Sequence, residues 1–122
     1  MTRIMVVDDE QGTNTLAAEY LRLAGFEVLT AYDGASAISK LAAGERVDLV
    51  VADQRLPDMD GWELCAKLKS DPSTRSLPVM VLTATGAGRH EPKERPDAWM
   101  AKPFRPKDFV AEIKRLLGQA PG

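Results

Sequence analysis

The sequence predicts an α/β fold, a doubly wound, five-stranded parallel sheet with helices on both faces. Three observations predict it. Short apolar runs alternate with segments of helical period along all 122 residues, the pattern of successive βαβ units. The runs are continuous rather than alternating, as in Met5-Val6-Val7 and Leu49-Val50-Val51-Ala52, which marks strands covered on both faces. Four of the five runs also lead into polar or charged residues: Asp8 and Asp9, Asp53, Thr83 and Lys102. A parallel sheet brings such strand ends to one edge.

Arg3–Val7 is the first strand. Leu16, Tyr20, Leu23 and Ala24 recur at helical spacing, and Gly25 ends that helix. Glu27–Thr30 is a short strand with the polar content of a sheet edge, and Asp33-Gly34 marks a turn. Ala35, Ile38, Leu41 and Ala42 give a second helix, stopped at Gly44. Asp48–Ala52 is the third strand. Asp60 caps a third helix carrying Leu64, Cys65 and Leu68, which ends before Asp71-Pro72. Leu77–Leu82 is the fourth strand, with Pro78 near its start where a missing N–H does least harm. Ala98–Ala101 is the fifth. Phe109, Val110, Ile113, Leu116 and Leu117 form the stripe of a last helix. Right-handed crossovers favour the flavodoxin-like strand order 2-1-3-4-5, with strands one and three adjacent at the switch point. The expected fourth helix, within 86–96, has two glycines, two prolines and no large apolar residue beyond Gly88. It is predicted short, irregular or missing, because glycine and proline cost about 1 and 3 kcal/mol in a helix interior.

Composition excludes several classes. Hydrophobic residues make up 44% and charged residues 28%, too apolar for disorder. No apolar run reaches the ~18 residues of a membrane span, and no signal-peptide pattern follows Met1. The chain is therefore expected to be cytoplasmic, with no membrane partner. Met1 just before the first strand reads as a true N-terminus. The domain is expected to cover 1–118, with a tail at 119–122. The single cysteine, Cys65, excludes an internal disulfide and reads as core. Residues 1–85 carry 13 acids against 8 Lys/Arg, and residues 86–122 carry 5 against 8. That late basic excess is too dilute for a nucleic-acid footprint. His90 reads as surface, and Trp62 as packing over the third helix.

The strand-end residues suit one chemistry. Asp9 and Asp53 offer carboxylates to a hard divalent cation, with Asp8 acting through water. Mg²⁺ is expected, with Mn²⁺ as the other candidate. The metal would let Asp53 act as a carboxylate nucleophile toward a phosphoryl group. Lys102 supplies a point charge and Thr83 a hydroxyl for the phosphate oxygens.

In their order and spacing these motifs resemble the receiver domains of two-component response regulators, over nearly the whole chain. The matching segments are Val6-Val7-Asp8-Asp9, Asp53-Gln54-Arg55-Leu56-Pro57-Asp58-Met59-Asp60-Gly61, Leu77-Pro78-Val79 through Thr83-Ala84, and Lys102-Pro103-Phe104. The resemblance implies Asp53 as phosphoacceptor and Mg²⁺ on Asp8, Asp9, Asp53 and the Arg55 backbone carbonyl. It places Thr83, Ala84, Lys102 and Trp99 in the phosphate-binding and switch machinery, and a cis bond before Pro103. It implies a sensor histidine kinase or histidine phosphotransfer protein as phosphoryl donor. A downstream protein would bind the face of fourth helix, fifth strand and last helix, on a monomer or a phosphorylation-dependent dimer. Trp99 stands where the family has Tyr or Phe. The interval of 19 positions from Thr83 to Lys102 is about three short, and Arg95-Pro96 replaces a Gly-Ala pair.

Three other readings fit less well. A haloacid-dehalogenase-type enzyme needs a second Asp two positions after the nucleophile, where Arg55 stands. A flavodoxin-like FMN site is opposed by the charge of Asp8-Asp9-Glu10. An unphosphorylated interaction module would not need every site residue in place.

Overall fold

The structure, a computed structural model, describes residues 2–9, 11–83, 97–101 and 104–118, with the backbone alone for 11–15. The elements are β1 (Arg3–Val7), α1 (Gln11–Leu23), β2 (Glu27–Ala31), α2 (Gly34–Ala42), β3 (Leu49–Asp53), α3 (Gly61–Ser70), β4 (Val79–Thr83), β5 (Ala98–Ala101) and α4 (Pro106–Leu116). The five strands pair in parallel in the order β2-β1-β3-β4-β5. This is the predicted doubly wound topology. The expected fourth helix, Ala84, Lys102, Pro103 and the tail at 119–122 lie outside the described residues.

The side-chain period of two splits each central strand between two cores. Ile4, Val6, Leu49, Val51, Met80 and Leu82 face α1 and α4, where Ala17, Leu21, Phe109 and Ile113 close the layer. Met5, Val7, Val50, Ala52, Val79 and Val81 face the other way, against Ala37 of α2 and Trp62, Leu64, Cys65 and Leu68 of α3. Both faces of β1, β3 and β4 are therefore apolar, which explains their unbroken hydrophobic runs. β5 ends the sheet, and its alternate residues Trp99 and Ala101 are exposed.

The structure corrects several boundaries. β3 runs one residue further than expected and includes Asp53; β4 starts at Val79 and includes Thr83. Both side chains are thus held by ladder geometry rather than by loops. Gly34 is the first residue of α2, and Asp33 is its cap, accepting from the Ser36 N–H at 2.7 Å. The stripe of α1 also differs. Leu16 and Leu23 are exposed, whereas Ala17, Ala18 and Leu21 are buried, so small residues bring this helix close to the sheet. Asp60 caps α3 as expected, accepting from Glu63 N–H at 2.8 Å, and Gly25 and Gly44 adopt φ of 96° and 100° after their helices.

The edge opposite the acidic cluster is tied by Asp97. Its Oδ2 accepts from the Val79 N–H and from Lys69 Nζ, both at 2.8 Å. Lys69 also donates to the Leu77 carbonyl at 2.8 Å. One carboxylate thus joins the start of β4, the start of β5 and the end of α3.

Candidate functional site

The register of the central strands builds the site. Val7 pairs with Ala52, so the next residues, Asp8 and Asp53, stand side by side at the carboxyl edge of β1 and β3. Asp8 and Asp53 are buried, at 1% and 6% exposure, while Asp9 turns to solvent. One carboxylate oxygen from each of the three lies within 4.8 Å of the other two. At an effective dielectric of about 20, two full charges about 5 Å apart repel by roughly 3 kcal/mol. A bound cation would relieve that repulsion.

Thr83 ends the neighbouring strand. Asp53 pairs with Leu82 across β3 and β4, so Thr83 stands one residue beyond it. The Thr83 side chain is fully buried, and its Oγ1 has no hydrogen-bond partner among the described residues. An orphaned buried hydroxyl costs about 1–3 kcal/mol. One residue beyond the Asp53–Leu82 pair, it lies at the same edge of the sheet as the carboxylates. The residues present fit both a hard cation and a phosphoryl group: oxygen donors for the first, and for the second a hydroxyl with no partner among the described residues.

The segment after Asp53 is fixed at its base and at its tip. At the base, Gln54 N–H donates to the Leu82 carbonyl and Gly61 N–H to the Gln54 carbonyl, both at 2.8 Å. Arg55 and Asp60 form an antiparallel bridge. The helix start lies directly on Asp53: a Cβ on Gly61 would sit 2.6 Å from its carbonyl oxygen. Only glycine allows that approach. At the tip, the Asp58 carboxylate accepts from the Gly34 N–H at 2.9 Å and the Ala35 N–H at 2.8 Å, at the first turn of α2. These two amides hold its pKa below the usual 3.8. Met59 packs over Gly34, where any Cβ would meet its sulfur.

Of the residues singled out in the sequence, the structure brings together Asp8, Asp9 and Asp53, with Thr83 on the adjoining strand. Arg55 lies in the segment that follows, its side chain exposed. Trp99 is 46% exposed on β5 and packs against the buried Trp62 of α3. Trp62 thus serves as the link from α3 to β5. Phe104 stacks on Phe109 with centroids 4.8 Å apart and meets Tyr20 edge-on at 6.4 Å. Sequence reasoning missed Asp58. Its signal, an acid between Pro57 and Met59 in a turn-rich stretch, is indistinguishable from a surface loop until α2 is placed beside it.

Comparison with known proteins agrees with this geometry. Residues 4–114 match the response regulator receiver domain family. The chain is 36% identical over 122 residues to the alkaline phosphatase synthesis transcriptional regulatory protein PhoP of Bacillus subtilis, covering 94% of this chain and 48% of that protein. It spans about half the length of the curated relatives it matches first. Among solved structures, it resembles the receiver domain of sensor histidine kinase PA1611 from Pseudomonas aeruginosa, which has a magnesium ion coordinated in its active-site cleft. The TM-score is 0.86 at 26% identity, covering 97% of this chain and 98% of that one. It also resembles response regulator TrrA of Thermotoga maritima, solved in complex with Mg²⁺-BeF. There the TM-score is 0.82 at 29% identity, covering 95% and 99%. Fold, strand-end acids and sequence agree, and the chain belongs to the response regulator receiver domain family.

Proposed function

We propose that this domain is a phosphorylation switch in which Asp53 accepts a phosphoryl group from a histidine kinase or histidine phosphotransfer protein. The observation that carries this reading is the cluster of three carboxylates at the sheet edge, with a buried Thr83 hydroxyl on the adjoining strand that has no hydrogen-bond partner among the described residues. Asp8, Asp9, Asp53 and the Arg55 carbonyl would hold Mg²⁺, or Mn²⁺ in its place. The cation supplies charge neutralisation for the carboxylates and the arriving phosphoryl oxygens. Its presence in the structures of two relatives supports the assignment.

An oxygen of Asp53 forms the new P–O bond while the P–N bond of the donor's phosphohistidine breaks and its electron pair returns to the imidazole. Asp53 starts from a fixed position because its strand and the Gly61 contact hold its backbone, which lowers the entropic part of the barrier. Thr83 donates its hydroxyl to a phosphoryl oxygen. Lys102 would supply a positive charge for another. The domain thereby promotes its own phosphorylation and, when water attacks, its own dephosphorylation. Movement of Thr83 toward the phosphate would shift Trp99 on β5, changing affinity for a downstream protein. The domain would act in the cytoplasm.

The test is a mimic that needs no kinase. Beryllofluoride with Mg²⁺ is expected to raise the melting temperature of the wild type well above Mg²⁺ alone. Asp53→Ala is expected to show no beryllofluoride effect. An equal shift in both would remove Asp53 from the acceptor role.

A further inference from the structure

Three connections close a circuit around the acids. The Asp8 N–H donates to the Ala31 carbonyl at 3.0 Å, tying the end of β1 to the end of β2. Three residues later α2 begins, and its first two amides donate to Asp58. Asp58 belongs to the segment that starts at Asp53 and returns to it through Gly61. The strand end carrying Asp8 and Asp9 and the strand end carrying Asp53 are thus joined twice. One join is the β1–β3 ladder beneath the acids; the other is the Asp58 carboxylate at the side of the site.

From this circuit we infer that Asp58 is a positioning residue for cation binding. It is not one of the three clustered carboxylates. It fixes the segment that carries the Arg55 carbonyl against the turn that follows Ala31. Remove it, and the segment keeps its base, through Gln54, Gly61 and the Arg55–Asp60 bridge, and the Met59 packing on Gly34, but loses its two hydrogen bonds to the start of α2. The Arg55 carbonyl then samples positions that do not converge with the carboxylates, and the cation loses a ligand for part of the time. A carboxylate is suited to this task, since it accepts from two parallel amides with its two oxygens. An asparagine offers one acceptor oxygen and retains half of the contact. The inference rests on the proposed Mg²⁺ site.

The test is calorimetric titration of the folded domain with Mg²⁺, independent of phosphorylation. Asp58→Ala is expected to weaken Mg²⁺ binding roughly tenfold, the low end of the cost of losing an outer partner of a metal ligand. Asp58→Asn should fall between Asp58→Ala and wild type. Asp33→Ala is the control: it removes the cap of the same helix and should lower the melting temperature while leaving the Mg²⁺ affinity unchanged. Wild-type affinity in Asp58→Ala, or an equal loss in Asp33→Ala, would overturn the inference and leave the proposed function standing. Failure of the wild type to bind Mg²⁺ would overturn both.

Discussion

Trp62 and Trp99 pack with ring centroids 6.0 Å apart and planes inclined by 56°. One is buried at 2% exposure on the first turn of α3, next to the glycine that touches Asp53; the other stands 46% exposed on the edge strand. The segment that follows Asp53 and the β5 edge of the sheet are therefore one contact apart. Trp62→Ala is expected to cost about 3–5 kcal/mol in urea unfolding, the range for a buried aromatic. Trp99→Ala should cost clearly less. These are the only two tryptophans, so Trp99→Phe should leave the blue-shifted emission of a buried indole. Equal destabilisation by the two alanine variants would contradict the assigned burial.

Gly61 permits an approach that no other residue can make. Gly61→Ala puts a methyl group 2.6 Å from the Asp53 carbonyl oxygen, and the backbone there has to move. The expected cost is about 1–3 kcal/mol, as for other overpacked sites, together with slower uptake of phosphate from acetyl phosphate. A variant with wild-type stability and uptake would show that the segment yields freely.

The topology was readable because β1, β3 and β4 are buried on both faces, and burial of that kind leaves unbroken apolar runs. The acids were readable because each follows such a run. What escaped has a common cause: it depends on contacts between segments distant in sequence. Asp58 meets Gly34 and Ala35 across 24 and 23 positions. Leu16 and Leu23 fit a helical stripe as well as Ala17 and Leu21 do, and only the closeness of α1 to the sheet selects the smaller set. At Asp53 and Thr83 a polar residue marks a strand end in the sequence, whereas β3 and β4 include it.

The crowding of Asp8, Asp9 and Asp53 should appear in the stability of the metal-free protein. Asp53→Asn is expected to raise its melting temperature by removing one of three mutually repelling charges, and to weaken Mg²⁺ binding. For the wild type, Mg²⁺ at about ten times its Kd should add about 1.4 kcal/mol to the unfolding free energy by mass action. Thermal unfolding with and without the cation measures both effects, and an unchanged melting temperature in saturating Mg²⁺ would count against a cation site.

The amides at the start of α2 favour the charged form of Asp58 and lower its pKa below 3.8. The unfolded chain binds that proton more readily than the folded one, so the contribution is complete above 3.8 and is lost as pH falls through the lower folded value. The difference in unfolding free energy between wild type and Asp58→Ala should be constant at neutral and mildly acidic pH and narrow below about 3.8. Urea titrations across that range check it, and a gap that widened on acidification would have the wrong sign for this contact.

The central claim is that Asp53 takes the phosphoryl group. Its most direct test is the intact mass of the protein after incubation with acetyl phosphate and Mg²⁺. The wild type is expected to gain a single phosphate that survives acid and is released by base, as an acyl phosphate should be. Asp53→Asn is expected to gain none. A stoichiometric phosphate on Asp53→Asn, or a wild type that stays unmodified with Mg²⁺ present, would contradict the account.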